Sequence, residues 1–469
     1  MLDYSQVIVT NEFDTIIMKR KPKKVEGPMF SNRALRKLIL PLFMDQILLI
    51  TVGIIATMML SYAGEAAISS VSLVDMINML MINVLAALAT GGAVVVSQYI
   101  GGGAKEQANK AASQLITITA IISIGITIAV ILFKEPMLKL LFGNIDADVM
   151  ASAITYFLLS GLSYPFLAVY NSGAALFRSM GNSKIAMLVS IVMNVTNVIG
   201  IAVAIFGFHG GVVGVGLANL LARVIAACIM MILALNKGNE IYIRFSEIFS
   251  WRKELIGKIL RIAVPNGIEN GLVQLGRVLL ISIIALFGTA QITANGVTNS
   301  LVMMAISFAC ATNLAIVTVV GQCVGAGDYE QAAYYTMKIL KLTYLVTTVI
   351  CILEIILLPW ILSLYTISPE ASRLTYILVV IHNIVAIFLW PVSFTLSNGL
   401  RAAGDVRFTM YIAIGSMFFF RLTFAYILGV IFRLGVIGVW IAMCIDWSFR
   451  SIIFLIRFKR GKWKTFRVI

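Results

Sequence analysis

Residues 97–108 read Ser97-Gln-Tyr-Ile-Gly-Gly-Gly-Ala-Lys-Glu-Gln-Ala108, and residues 321–332 read Gly321-Gln-Cys-Val-Gly-Ala-Gly-Asp-Tyr-Glu-Gln-Ala332. Six of these twelve positions are identical, where average residue usage would give roughly one. The six pairs, from Gln98/Gln322 to Ala108/Ala332, share an offset of 224. The same offset links Pro41 to Pro265, Gly64 to Gly288, Gly211 to Gly435, Gly214 to Gly438 and Ala218 to Ala442. At 223 it links Pro136 to Pro359, Arg178 to Arg401 and Gly181 to Gly404. One module is written twice, and a repeat of that size decides the architecture.

Composition sets the solvent. The chain of 469 residues is 60% hydrophobic and 12% charged, against about a quarter charged in a soluble protein. Twelve apolar runs, at 37–61, 69–98, 111–133, 151–176, 184–206 and 211–235 and again at 259–287, 293–321, 335–359, 372–399, 407–431 and 435–457, are long enough to cross a membrane. Backbone in lipid must satisfy its own hydrogen bonds, so these spans are expected to be helices. The fold class is all-α integral membrane. Six spans per copy is an even number, so both copies enter the membrane in one orientation. Parallel repeats make two lobes, at 37–235 and 259–457, facing each other across a central cleft.

The net charge of +15 does not point to nucleic acid. With the N-terminus in the cytosol, 28 of the 36 Lys and Arg fall on cytoplasmic segments, four on outward loops and four within spans. That is the positive-inside pattern, and it places both termini in the cytoplasm of a multi-pass plasma-membrane protein. Residues 1–36, with the Lys19–Lys24 cluster, and 458–469 read as basic cytoplasmic tails that meet anionic lipid. Residues 236–258 read as a cytoplasmic linker hinging the lobes. All five cysteines fall inside predicted helices without metal-ligand spacing and read as packing residues. Paired catalytic acids, a nucleophile–base set and a Gly-Lys-Ser/Thr phosphate loop are missing from the sequence, so an enzyme or an ATP-driven pump is not expected. Neither a cofactor nor a metal is implied.

Ionisable and amide residues inside spans are the candidate sites, because each costs about 2.5–3.5 kcal/mol or more on insertion scales when ionised. Pro41 and Pro265 are expected to open spans 1 and 7, and Asp45 and Glu269 each follow their proline by four residues. Either these acids work in transport or they tie neighbouring helices. Asn266, Asn270, Gln274 and Arg277 share one face of span 7, which lines a cavity or bonds across helices. Asp75 lies near the outer end of span 2 with Asn78 one turn on, and a solvated role is the plainer reading. Asn194 and Asn197 in span 5, and Asn295, Asn299 and Met303 in span 8, suit either a ligand or interhelical packing. Asp446 and Arg450 read as an i, i+4 structural pair. His382 alone is weak support for a proton relay.

Several of these features coincide in one known family. Twelve spans in two halves, the proline-led spans 1 and 7, Gln-x-x-Gly-x-Gly after spans 2 and 8, and Arg-x-x-Gly-Asn/Asp after spans 4 and 10 resemble the multidrug and toxic compound extrusion (MATE) family over about 37–457. The resemblance implies a secondary exporter driven by an H⁺ or Na⁺ gradient, expelling amphipathic and typically cationic compounds and complete within one chain. Two acids common in relatives are absent. Ala56 stands where an aspartate is usual in span 1, and Ile201 where one follows the asparagine of span 5. Coupling has then moved, with Glu269 and Asp45 the first candidates, or the chain binds ligand without pumping. A lipid-linked glycan flippase is a further alternative, for which Arg223, Arg277 and Arg421 would supply cationic charge.

Overall fold

The computed structural model describes residues 27–143, 146–466 and 468–469; the Lys19–Lys24 cluster lies outside them. Twelve helices among these residues are long and apolar enough to span a membrane. They are α1 (Asn32–Ser61), α2 (Glu65–Gly101), α3 (Lys105–Phe142), α4 (Ala147–Ser179), α5 (Ser183–Gly207), α6 (Gly211–Leu235), α7 (Lys253–Ala285), α8 (Thr289–Gly325), α9 (Tyr329–Ser363), α10 (Pro369–Ala402), α11 (Val406–Ile431) and α12 (Gly435–Lys459). The all-helical class and the six-plus-six division expected from the sequence hold. Most helices outrun the apolar runs, and α3 at 38 residues reaches about 57 Å, past a hydrocarbon core of about 30 Å.

The repeat extends to backbone detail. A π-helical turn at Val203–Gly207 recurs at Ile427–Ile431. His209 and Arg433, 224 residues apart, are the two non-glycine residues with positive φ among the described residues, at 52° and 57°. Within each lobe, glycines let helices approach closely. A Cβ on Gly173 would strike Met230, one on Gly161 would strike Val130, and one on Gly276 would strike Met417.

Two expectations are corrected. α1 starts at Asn32, capped by the Ser31 hydroxyl, so Pro41 sits inside the helix rather than opening it. Pro265 likewise lies inside α7. Pro41 has no N–H for the carbonyl four residues back. The Ser183 hydroxyl instead donates to the Lys37 carbonyl at 3.3 Å and to the Leu38 carbonyl, so the span survives its proline. The linker, secondly, is not a free hinge. Asn109, Ser113 and Thr117, at helical i+4 spacing on α3, bind Tyr242 N, Arg244 N and the Ile248 carbonyl at 3.0, 3.0 and 2.6 Å. The Gln114 side chain donates to the carbonyls of Glu247 and Ser250 and accepts from Arg252 N. Residues 241–252 are therefore fastened to the N-terminal lobe.

Candidate functional site

The two acids of α1 and α7 occupy matching places. The Glu269 carboxylate, buried, is ion-paired with the Arg401 guanidinium at the end of α10, and Arg401 also donates to Asn398 at 3.0 Å. Asp45, 224 residues before Glu269, faces Arg178 and Ser190. Arg178 is the counterpart of Arg401 in the N-terminal lobe. Glu269 is thus tied to the arginine of its own lobe's Arg-x-x-Gly motif. Asp45 instead lies in the field of the corresponding Arg178 without an ion pair among the described residues, its Oδ1 buried and unbonded.

A continuous polar network runs through the N-terminal lobe. Asp75 Oδ1 accepts from Asn78 Nδ2 at 2.9 Å and from the Tyr156 hydroxyl at 3.2 Å. Asn78 also bonds Ser160, and its oxygen accepts from the Tyr164 hydroxyl at 2.6 Å. Asn219 donates to the Tyr156 oxygen at 3.3 Å and accepts from Asn197 at 2.6 Å. Arg223 donates to Ser163 at 2.6 Å. Helices α2, α4, α5 and α6 are joined by these bonds. Asn78 of α2 and Tyr156 of α4 touch the Asp75 carboxylate directly, while α6 and α5 follow through Tyr156. Asp75 is exposed, as the solvated reading has it, and is also a member of the network.

The C-terminal lobe is built differently. Asp446 is fully buried on α12, 2.9 Å from the Arg450 side chain one turn on, as their spacing led us to expect. Arg421 on α11 approaches the same carboxylate at 3.9 Å, and Arg277 on α7 lies within electrostatic reach of Asp446, Arg421 and Arg450. Arg421 sits in the π-helical turn Ser416–Leu422, whose extra residue re-aims the side chains that follow it. Nearby, Glu354 on α9 accepts from Asn383 at 2.7 Å, and Asn383 bonds the His382 ring at 2.8 Å. The ring packs edge-on against Trp440 and Trp447.

The lobes meet through the repeated motif itself. Gln98 Nε2 donates to the Ala402 carbonyl at 2.9 Å, and Gln322 Nε2 donates to the Ser179 carbonyl at 2.6 Å. These are the same bond made twice across the pseudo-two-fold axis. A Cβ on Gly101 would collide with the Gln322 carbonyl, and one on Gly325 with the Gln98 carbonyl. Gly103 and Gly327 then turn the chain with φ of 71° and 76°. Inter-lobe bonds among the described residues gather at this end, where the segment before α1 also docks: Phe30 N donates to the Tyr335 hydroxyl at 2.9 Å.

A family model described as MatE matches residues 41–203 and 265–427, one segment in each lobe and 224 residues apart. The chain belongs to the MATE family. Members of this family are cation-coupled multidrug efflux transporters and not enzymes. Among similar proteins, the transporter YisQ of Bacillus subtilis (strain 168) is 28% identical to this MATE chain over 450 residues, which are 94% of the chain and 97% of YisQ. "Probable multidrug resistance protein NorM" of Thermotoga maritima is 26% identical over 455 residues, covering 93% and 94%. The structure of a MOP superfamily transporter from Pyrococcus furiosus superposes with a TM-score of 0.86 at 20% identity, covering 92% of this chain and 97% of that one. This last likeness concerns the fold.

Within the MATE fold, the remaining candidates from the sequence separate. Asn197 joins the Asp75 network, and Asn295 accepts from the Trp440 indole at 3.1 Å. Asn194 and Asn299 bond back to their own helices, at Ser190 and at the Asn295 carbonyl. Met303 is exposed. Asn270, Gln274 and Arg277 make no side-chain hydrogen bond among the described residues and are half-buried, so the polar stripe of α7 stands unpartnered. Sequence reasoning passed over Tyr156 and Asn219. Asn219, an amide in an apolar run, carried a readable signal, whereas Tyr156 looked like any aromatic in a span.

Proposed function

We propose that the chain is a secondary exporter working by alternating access, powered by an inward H⁺ or Na⁺ gradient coupled at Asp75. The carrying observation is that network around Asp75. Four helices of one lobe are linked in a network that contains a single acid, although Ala56 and Ile201 hold no acid of their own. A coupling group must bind its ion differently in the two states. A carboxylate on α2 that accepts from a hydroxyl on α4 meets that demand, because relative movement of α2 and α4 changes its ligands. Glu269 suits coupling less well, being already ion-paired with Arg401.

The positive-inside pattern supports a plasma-membrane orientation with the motif end in the cytosol. The clasp at that end then closes the cytoplasmic side, leaving access from outside. Amphipathic small molecules are the expected cargo, and one chain contains both lobes that a working transporter needs.

The test is reconstitution of wild type and Asp75→Asn in liposomes. Uptake of ethidium, a cationic dye, and carboxyfluorescein, an anionic one, is followed under imposed pH and Na⁺ gradients. Gradient-driven uptake of either dye that disappears in Asp75→Asn is expected. Undiminished gradient-driven uptake by the variant would remove Asp75 from coupling.

A further inference from the structure

We propose that Arg277, Arg421 and Arg450, gathered around Asp446, form a binding site for the anionic group of an amphipathic substrate, a carboxylate or phosphate. The proposal rests on the exporter reading and names its substrate class. One carboxylate pairs with two guanidiniums, from α11 and α12, and a third, from α7, lies within its field, so the cluster carries two uncompensated positive charges. Arginine does not discharge itself by losing its proton, and a charge within a membrane span is costly without a partner. The protein does not complete the set. Arg277 has no hydrogen bond or ion pair among the described residues. Arg421 Nε and Asp446 Oδ2 are buried without a hydrogen-bond partner.

Arg450 is already committed, donating to Asp446 at 2.9 Å, to Ser416 at 2.6 Å and to the Ala413 carbonyl at 3.1 Å. Arg277 and Arg421 are therefore the two forks left for a ligand, and planar guanidiniums match carboxylate and phosphate oxygens two at a time. An apolar surface adjoins them. Phe420, next to Arg421, stacks on Phe449, next to Arg450, with centroids 4.3 Å apart, and on Phe424 at 6.3 Å. A charged head with an apolar body fits this neighbourhood, and an organic cation would meet three like charges.

Equilibrium binding needs no gradient, so its outcome is independent of coupling. The full chain in phosphatidylcholine nanodiscs is titrated with decyl phosphate, decyltrimethylammonium and inorganic phosphate. Decyl phosphate is expected to bind, decyltrimethylammonium to bind at least about tenfold more weakly, and Arg277→Gln to lose about tenfold in decyl phosphate affinity. Arg277→Lys should recover part of that loss. Arg277 holds no internal partner, so Arg277→Gln should melt like wild type, which separates lost binding from lost folding.

Stronger binding of the cation, or wild-type affinity in Arg277→Gln, would overturn the proposal. Inorganic phosphate binding as tightly as decyl phosphate would overturn its amphipathic part. Competition of decyl phosphate by phosphatidylglycerol in the nanodisc would support a lipid headgroup as the anion, and its absence a soluble amphiphile.

Discussion

Glu269 on α7 and Arg401 at the end of α10 form a buried ion pair, and Asp45 faces Arg178 in the corresponding place of the other lobe. The acid four residues after each helix proline is thereby matched with the arginine of the motif after the fourth helix of its lobe. Removing one member of a buried pair leaves the other charge unpaired at a cost of about 3 kcal/mol or more. Glu269→Gln and Arg401→Gln are each expected to lower the melting temperature of the solubilised protein, and the double variant to add little to either single change. Gradient dependence should persist in whatever fraction folds. A Glu269→Gln protein that melts like wild type but loses its gradient dependence would return the coupling role to Glu269.

The motif clasp makes a prediction about state. At Gly101 a methyl group has nowhere to go except into the Gln322 carbonyl of the opposite lobe. Gly101→Ala is therefore expected to part the lobes at this end and shift the population toward the opposite-facing state. Spin labels at Lys184 and Arg407, both exposed near the same end, should report a longer distance than in wild type. Gly125→Ala is the control. A Cβ there meets no atom within 4 Å, so the inter-label distance should stay unchanged and the helix gain up to about 1 kcal/mol. An unaltered distance in Gly101→Ala would show that the clasp does not hold the state.

Much of this was legible in the sequence, and the reason is lipid. A membrane span can only be a helix, and a 224-residue offset survives in glycines and prolines whose backbone roles are strict. The turn at Gly103 and Gly327 could be read, as could the Asp446–Arg450 pair, because both are local. The partners of Glu269 and Asp75 could not. Arg401 is 132 residues from Glu269, and Tyr156 is 81 from Asp75. Which helices face each other is fixed by packing, which periodicity does not encode. The linker misled for a related reason. Its polar composition suggested freedom, while the side chains that fasten it lie on α3, more than 130 residues earlier in the chain.

That fastening has a pH signature. Glu247 accepts from Arg252 at 2.6 and 2.8 Å and from Ser250 at 2.9 Å. The Arg252 hydrogen bond, more than the Ser250 one, holds the Glu247 carboxyl down to about 2, below its usual value of 4.5. A carboxylate with a lowered pKa contributes stability that is full above its unfolded pKa and lost as pH falls through the folded one. Protection of the 242–252 amides from hydrogen exchange should therefore hold above about pH 4.5 and fall away toward pH 2. Gln114→Ala should expose the same amides at neutral pH, because it removes three bonds at once. Equal exchange in variant and wild type would mean that the linker's hold on α3 lies elsewhere.

Ser183 and Pro41 supply a cycle in which one change should repair the other. Pro41 leaves the Lys37 carbonyl without its helical donor, and the Ser183 hydroxyl fills the gap from α5. Ser183→Ala should then cost about 1 kcal/mol, the usual net worth of a hydrogen bond, here to a part-buried carbonyl. In a Pro41→Ala background the helix regains its own N–H for Lys37, so the same serine change should cost clearly less. Thermal melts of the two single variants and the double variant measure the coupling directly. Additive losses would show that Ser183 stabilises α5 against α1 through packing, with no bearing on the proline. A shortfall in the double variant would show that this lobe tolerates its mid-span proline because a hydroxyl from a neighbouring helix replaces the missing donor.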